Sequence, residues 1–135
     1  MQTTIMALDV GDKRIGIAIS DPSRTLASPR KACPRNSGTK IISSLATEEC
    51  CSLILVGLPY LPSGGIGTQA IKTQEFIYDL SQQTTIRIET VDERLSSIEA
   101  RKNILNPNKI RKDKGILDSA SAAVILQRYL DKTQS

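Results

Sequence analysis

Apolar positions along the chain follow two rhythms in turn. Thr4-Ile5-Met6-Ala7-Leu8 is almost continuous, as in a central strand covered on both faces, and it stops at Asp9. Gly11 turns the chain into Arg14–Ser20, where Ile15, Ile17 and Ile19 alternate with small residues, so the two segments are predicted to pair as a hairpin. Beyond the Asp21-Pro22-Ser23 turn, Leu26–Ala32 reads as a third strand at the sheet edge, where Pro29 is tolerable. Ser37–Glu49 has helical spacing through Ile41, Ile42, Leu45 and Ala46, and Ser52–Gly57 is another buried strand. Pro59–Gly67, with two prolines and three glycines, reads as a mobile loop leading into a helix that ends near Leu80. A fifth strand, Ile86–Val91, runs into Asp92-Glu93. Ser96 and Glu99 stand in capping-box spacing, which starts a helix carrying Ile98, Arg101, Ile104 and Leu105 inward until Asn106-Pro107-Asn108 stops it. The last helix is expected from Leu117 or Asp118 through Leu130, with Asp118 on one stripe with Ala122, Ile125 and Tyr129.

Three short acidic segments punctuate this pattern: Asp9-Val10-Gly11-Asp12-Lys13-Arg14, Asp92-Glu93-Arg94-Leu95 and Leu117-Asp118-Ser119-Ala120. Each carboxylate lies at the end of an apolar run, where a strand or helix would deliver it to one edge of the fold. Three carboxylates gathered in that way suit hard divalent cations, so the chain reads as a metal-dependent phosphodiesterase. Asp9, Glu93 and Asp118 are the candidate catalytic residues, and Asp9, Asp92, Glu93 and Asp118 the candidate metal ligands. Asp92 and Glu93 are adjacent on an extended segment, so their side chains point to opposite sides and only one is expected to be a direct ligand, with Glu93 favoured. Plainer roles exist for each: a turn residue before Gly11 for Asp9, an N-cap for Asp118, an ion pair with Arg94 or a lysine for Glu93. Asp12 and Asp21 read as turn or capping residues.

Composition sharpens the chemistry. With 135 residues, 39% apolar and 24% charged, the chain is expected to form one domain over 1–135. It shows neither a membrane-length apolar run nor a secretory signal, and a cytoplasmic location is expected. Cys33, Cys50 and Cys51 are an odd set without CxxC spacing and read as free buried thiols. The absence of histidine excludes Ser-His and Cys-His pairs and His-ligated zinc, leaving carboxylates, lysines and metal-bound water for any chemistry. Lysine and arginine exceed the acids by 18 to 14, and they cluster at Lys13-Arg14, Arg30–Arg35 and Lys109–Lys114, an excess that suits a polyanion. Aromatics are only 3%, so base stacking offers little, and recognition would rest on backbone charge and shape, with Lys13 and Arg14 as phosphate contacts.

A three-strand meander followed by helix, strand, helix, strand and helix is the element order of the ribonuclease-H-like fold: α/β, with a mixed five-stranded sheet flanked by helices. Within that fold the chain resembles the YqgF (RuvX) family. The residues that carry the resemblance are Ala7–Ala18, Ser20-Asp21, Val56-Gly57-Leu58-Pro59 with Gly64 and Gly67, Asp92–Ser97 with Glu99-Ala100, and Asp118-Ser119-Ala120 with Ala122-Ala123 and Leu126. Ser96 and Ser97 stand where the family usually has Thr, a hydroxyl-for-hydroxyl exchange. The resemblance implies a nuclease that trims the 5′ end of precursor 16S ribosomal RNA, acting on RNA or the pre-ribosomal subunit as a monomer or weak dimer. It also implies an acidic site of Asp9, Glu93 with Asp92 beside it, and Asp118, holding one or two Mg²⁺ or Mn²⁺ ions, with Lys13, Arg14 and Arg94 on the nucleic acid. Three rival functions share the pattern. One is a Holliday junction resolvase on branched DNA, which needs a stable dimer; another is a catalytically silent RNA-binding assembly factor. The third, phosphate binding of the actin and sugar-kinase sort, normally needs two such domains.

Overall fold

A computed structural model describes residues 3–92 and 119–134. Its elements are β1 (Thr4–Val10), β2 (Arg14–Ser20), β3 (Ala27–Pro34), a 3-10 turn (Arg35–Ser37), α1 (Gly38–Glu48), β4 (Cys51–Leu58), α2 (Thr68–Ser81), β5 (Arg87–Asp92) and α3 (Ala120–Gln134). The five strands form one sheet in the order β3-β2-β1-β4-β5, antiparallel on the meander side and parallel from β1 to β4 and β5. The mixed sheet is the expected one, and it puts β1 at its centre. The helix expected between Ser96 and Asn106, and the residues Glu93, Arg94 and Asp118, lie outside the described residues.

The continuous apolar run of β1 is explained by cover on both faces. Met6, Leu8 and Val10 pack with Ile15, Ile17, Ile19, Ile54 and Val56 under α1 and α2, where Ile42, Ala46, Phe76 and Leu80 close the layer. Ile5 and Ala7 point the other way and pack with Ala18, Leu53 and Leu55 under Ala122, Ala123, Ile125, Leu126 and Leu130 of α3. Alternation along each strand therefore assigns every residue to one helical layer or the other, and Asp9 falls on the α3 side.

Several local expectations shift. The third strand begins at Ala27 rather than Leu26, whose side chain is 65% exposed, and it runs to Pro34 because β3 bulges opposite β2. Ile41 faces outward on α1 while Ile42 and Ala46 are fully buried, so only part of the expected stripe is core. Cys33 and Cys51 are buried free thiols whose pKa burial pushes up. Cys50 is exposed instead, with φ 55°, because the chain reverses there between α1 and β4. Within the Pro59–Gly67 loop, Gly64 N–H donates to the Leu61 carbonyl (2.8 Å) and Leu61 N–H to that of Gly65 (2.9 Å). Gly64, at φ 91°, takes the left-handed conformation that this turn needs.

Candidate acidic site

The β1–β2 hairpin tip lies at the carboxyl end of the central strand, the edge at which open α/β sheets bind ligands. Asp9 is half-buried and pairs across the ladder with Gly16. On its other side, one step past the Leu8–Val56 pair, stands Gly57. Glycine on both neighbouring strands leaves the Asp9 carboxylate as the sole side chain in its stretch of the row. Among the described residues the two strand positions beside Asp9 carry no side chain, which suits the close approach of an ion or a phosphate.

Two sets of contacts fix this tip. Gly11 N–H donates to the Arg14 carbonyl at 2.9 Å, closing the turn, and a Cβ at Gly11 would lie 2.8 Å from that same oxygen. Arg35 then fastens the tip to α2. Its backbone N–H donates to the Lys13 carbonyl (2.9 Å), and its guanidinium donates to the carbonyls of Gly11 (3.0 Å) and Lys72 (3.1 Å) while lying 5.2 Å from the centre of the Phe76 ring. Sequence reasoning placed Arg35 only in a basic cluster. Nothing in its spacing shows that it braces the turn two residues beyond Asp9.

The other acids behave as structural residues. Asp12 accepts from Gln69 Nε2 (3.3 Å) and pairs with Lys72 Nζ (3.5 Å), which tie the tip to α2 and lower its pKa. Asp21 accepts from the Leu26 and Thr25 amides (3.0 and 2.8 Å) and from the hydroxyls of Ser23 and Thr25, and these bonds, Leu26 first, hold it well below the usual carboxylate range. Asp21 matches the turn role expected of it, whereas Asp12 bridges to two side chains of α2 and caps no amide among the described residues. Asp92 pairs with Leu58, whereas Val91 pairs with Gly57, the neighbour of Asp9. Val91 packs against the α3 layer and Ile88 against the α1 and α2 layer, and at the strand end Asp92 joins Val91 in lining a cleft against Ile125, Arg128 and Tyr129 of α3.

Of the sequence-expected cations, Lys13 and Arg14 are exposed at the hairpin tip, beyond the carboxyl end of β1. Arg30 is taken up by an ion pair with Glu49 at 2.9 Å. Among the described residues no three His, Cys, Asp or Glu side chains cluster as metal ligands. Two of the four candidate ligands, Glu93 and Asp118, lie outside the described residues. Among the described residues no helix is long and apolar enough to cross a membrane.

Comparison with known proteins gives this arrangement a family. Residues 3–132 match the family model described as RuvX: Holliday junction resolvase. A protein of Roseiflexus sp. (strain RS-1), named "Putative pre-16S rRNA nuclease", is 40% identical over 131 residues, covering 94% of this chain and 93% of its own. A protein of Desulforamulus reducens with the same name is also 40% identical, covering 94% and 96%. Among solved structures, Thermus thermophilus RuvC in complex with a Holliday junction substrate superposes with a TM-score of 0.59 at 8% identity, covering 98% of this chain and 96% of that one. A second Thermus thermophilus RuvC structure gives 0.58 at 7% identity, with the same coverage. At such identities the likeness is one of fold, the ribonuclease-H-like fold expected from the order of elements. The family rests on the sequence matches, which run over nearly the whole length at about two residues in five, and by them the chain belongs to the RuvX family.

Proposed function

We propose that this chain is a divalent-metal-dependent nuclease that processes the 5′ end of precursor 16S ribosomal RNA, with Asp9, Glu93 and Asp118 as its acidic site. The observation that carries the reading is Asp9 itself: a half-buried carboxylate at the carboxyl end of the central strand, with glycine on both sides, in a chain whose relatives are named pre-16S rRNA nucleases. The donor chemistry fits Mg²⁺ or Mn²⁺, hard ions that take carboxylate oxygens. Asp9 would hold the ion, with Glu93 and Asp118 completing the set. Adjacent residues of an extended segment point to opposite sides, so only one of Asp92 and Glu93 would be a direct ligand, and Glu93 is the one favoured. One or two such ions supply an activated water and neutralise charge on the scissile phosphate. The remaining work falls to this chain's own groups. Asp9 orients the site from a rigid strand, and Lys13 and Arg14, with Arg94, hold the nucleic-acid backbone.

The description of the family as Holliday junction resolvase, and the RuvC likeness in fold, favour branched DNA as the second reading. A single assay separates them. The purified protein is incubated with precursor 16S RNA and, in parallel, with a four-way DNA junction, each in EDTA and with Mg²⁺ or Mn²⁺. The proposal expects RNA cleavage only with metal. Junction cleavage alone would transfer the site to the second reading, and RNA cleavage undiminished in EDTA would end the metal site.

A further inference from the structure

Ser119 is fully buried, and it is the first described residue after the stretch that holds Asp118. Its hydroxyl accepts the Ile17 backbone N–H at 2.9 Å and donates to the Arg30 carbonyl at 2.5 Å. Ile17 and Arg30 face each other across β2 and β3, immediately beside the bulge at which the pairing slips from Ile15–Cys33 to Ile17–Arg30. A bulge spreads the ladder locally and leaves backbone groups short of partners. The Ser119 hydroxyl enters there as a relay between the two strands, and it joins the start of α3 to the sheet.

The place of this bond is the point of interest. Ile17 follows Gly16, and Gly16 faces Asp9 across the β1–β2 ladder. Asp118 is the residue covalently before Ser119, one Cα step of about 3.8 Å away. One buried hydroxyl therefore ties the chain position next to the third candidate carboxylate to the strand position next to the first. A second tie, from Gln127 to the backbone of Ala27 (2.9 Å) and Thr25 (2.9 Å), holds α3 two turns farther on, so the helix has no freedom to slide.

We propose that Ser119 is a positioning residue of the acidic site: its bond to the β2–β3 bulge fixes the start of α3 against the strand position next to Asp9, and the fit of the divalent ion depends on that anchor. This rests on the nuclease reading above. An alternative is that Ser119 is only a satisfied core serine, worth stability and nothing more.

The molecule contains its own control. Ser20 is equally a buried serine whose hydroxyl accepts a backbone N–H, that of Ile5 at 2.9 Å, and donates to a carbonyl, that of Asp21 at 3.0 Å. It lies at the opposite end of β1, about 13 Å from Asp9 at the rise of a strand. Ser119→Ala and Ser20→Ala should thus both lower Tm by several degrees, each leaving a backbone amide without its acceptor. Only Ser119→Ala should weaken Mn²⁺ binding, followed by electron paramagnetic resonance well below both melting points. A loss of about tenfold or more is expected, with kcat falling about 10- to 100-fold at little change in KM for RNA. Equal Mn²⁺ affinity and kcat in the two variants, with the wild type binding and cleaving normally, would overturn the positioning role alone. A wild type that binds no Mn²⁺ would overturn this inference and the metal site together.

Discussion

Arg35→Ala tests whether the turn beyond Asp9 is braced from outside or stands by itself. The substitution removes two hydrogen bonds from a charged donor, to the carbonyls of Gly11 and Lys72, and the stacking on Phe76. It leaves the bond from the Arg35 amide to Lys13 in place. At this partly exposed position each charged bond is worth about 1 kcal/mol and the cation over the ring about 0.5 to 1 kcal/mol, while the freed side chain recovers up to about 1 kcal/mol of rotamer entropy. The net cost is about 2 kcal/mol, or roughly 6 to 10 °C in Tm for a chain of this size. Arg35→Lys keeps the charge but has no planar fork to reach two carbonyls, so it should fall between wild type and Arg35→Ala. Thermal unfolding by circular dichroism reads the shift. RNA cleavage at a temperature at which all three proteins are folded should follow the same order, since Gly11 is two residues from Asp9. An Arg35→Ala protein that melts within 1 °C of wild type and cleaves normally would refute the bracing argument.

Three further outcomes are expected. Gly38→Ala should destabilise by about 1 to 3 kcal/mol although helix propensity alone favours Ala, because its Cβ would come 2.4 Å from Ile15 Cδ1 and 3.3 Å from Phe76, both buried; a rise in Tm would show that this corner is loosely packed. The folded-state pKa of Asp21 is depressed, so its contribution to stability is present above the ordinary carboxylate range and is lost as pH falls toward the folded value; wild type should lose more Tm than Asp21→Asn between about pH 5 and pH 2, and parallel curves would contradict this. If Lys13 and Arg14 contact phosphates, each alanine variant should weaken RNA binding for all sequences alike and reduce the magnitude of the slope of log K against log salt by about 0.7 to 0.9, whereas an unchanged slope would make the hairpin tip a solvated surface.

The fold was readable because its signals are local. The unbroken run at Thr4–Leu8 and the alternation at Ile15, Ile17 and Ile19 follow directly from how each strand is covered, and the sheet order matches the element order. The turn role of Asp21 was legible for the same reason, since its amide partners Thr25 and Leu26 are four and five residues on, whereas the bridge from Asp12 to Gln69 and Lys72 spans 57 and 60 residues and was not. Arg35 and Ser119 were not legible in this way. Their partners are 24 and 102 residues away for Gly11 and Ile17, and an arginine in a basic cluster or a serine at a helix start has many commoner uses. Ile41 was misplaced because helical spacing fixes a stripe but not its width, and Ile42 and Ala46 already fill the space against Phe76 and Leu80. Cys50 departs from the buried reading because the α1–β4 reversal puts it at the surface with positive φ, a property of the connection rather than of the cysteine.

The acidic site is tested most directly by Mn²⁺ binding and RNA cleavage measured together on Asp9→Asn, Glu93→Gln and Asp118→Asn. Each variant keeps the size of the side chain and removes one negative charge, so each should fold, lose or misplace the ion, and lower cleavage by at least about a hundredfold, roughly 2.7 kcal/mol of barrier. Carboxylates crowded without metal repel one another, so in chelator each variant should melt at or above the wild-type temperature, while added Mn²⁺ should stabilise the wild type more. Three variants with wild-type cleavage and undiminished Mn²⁺ stabilisation would contradict the site and leave the chain an RNA-binding scaffold.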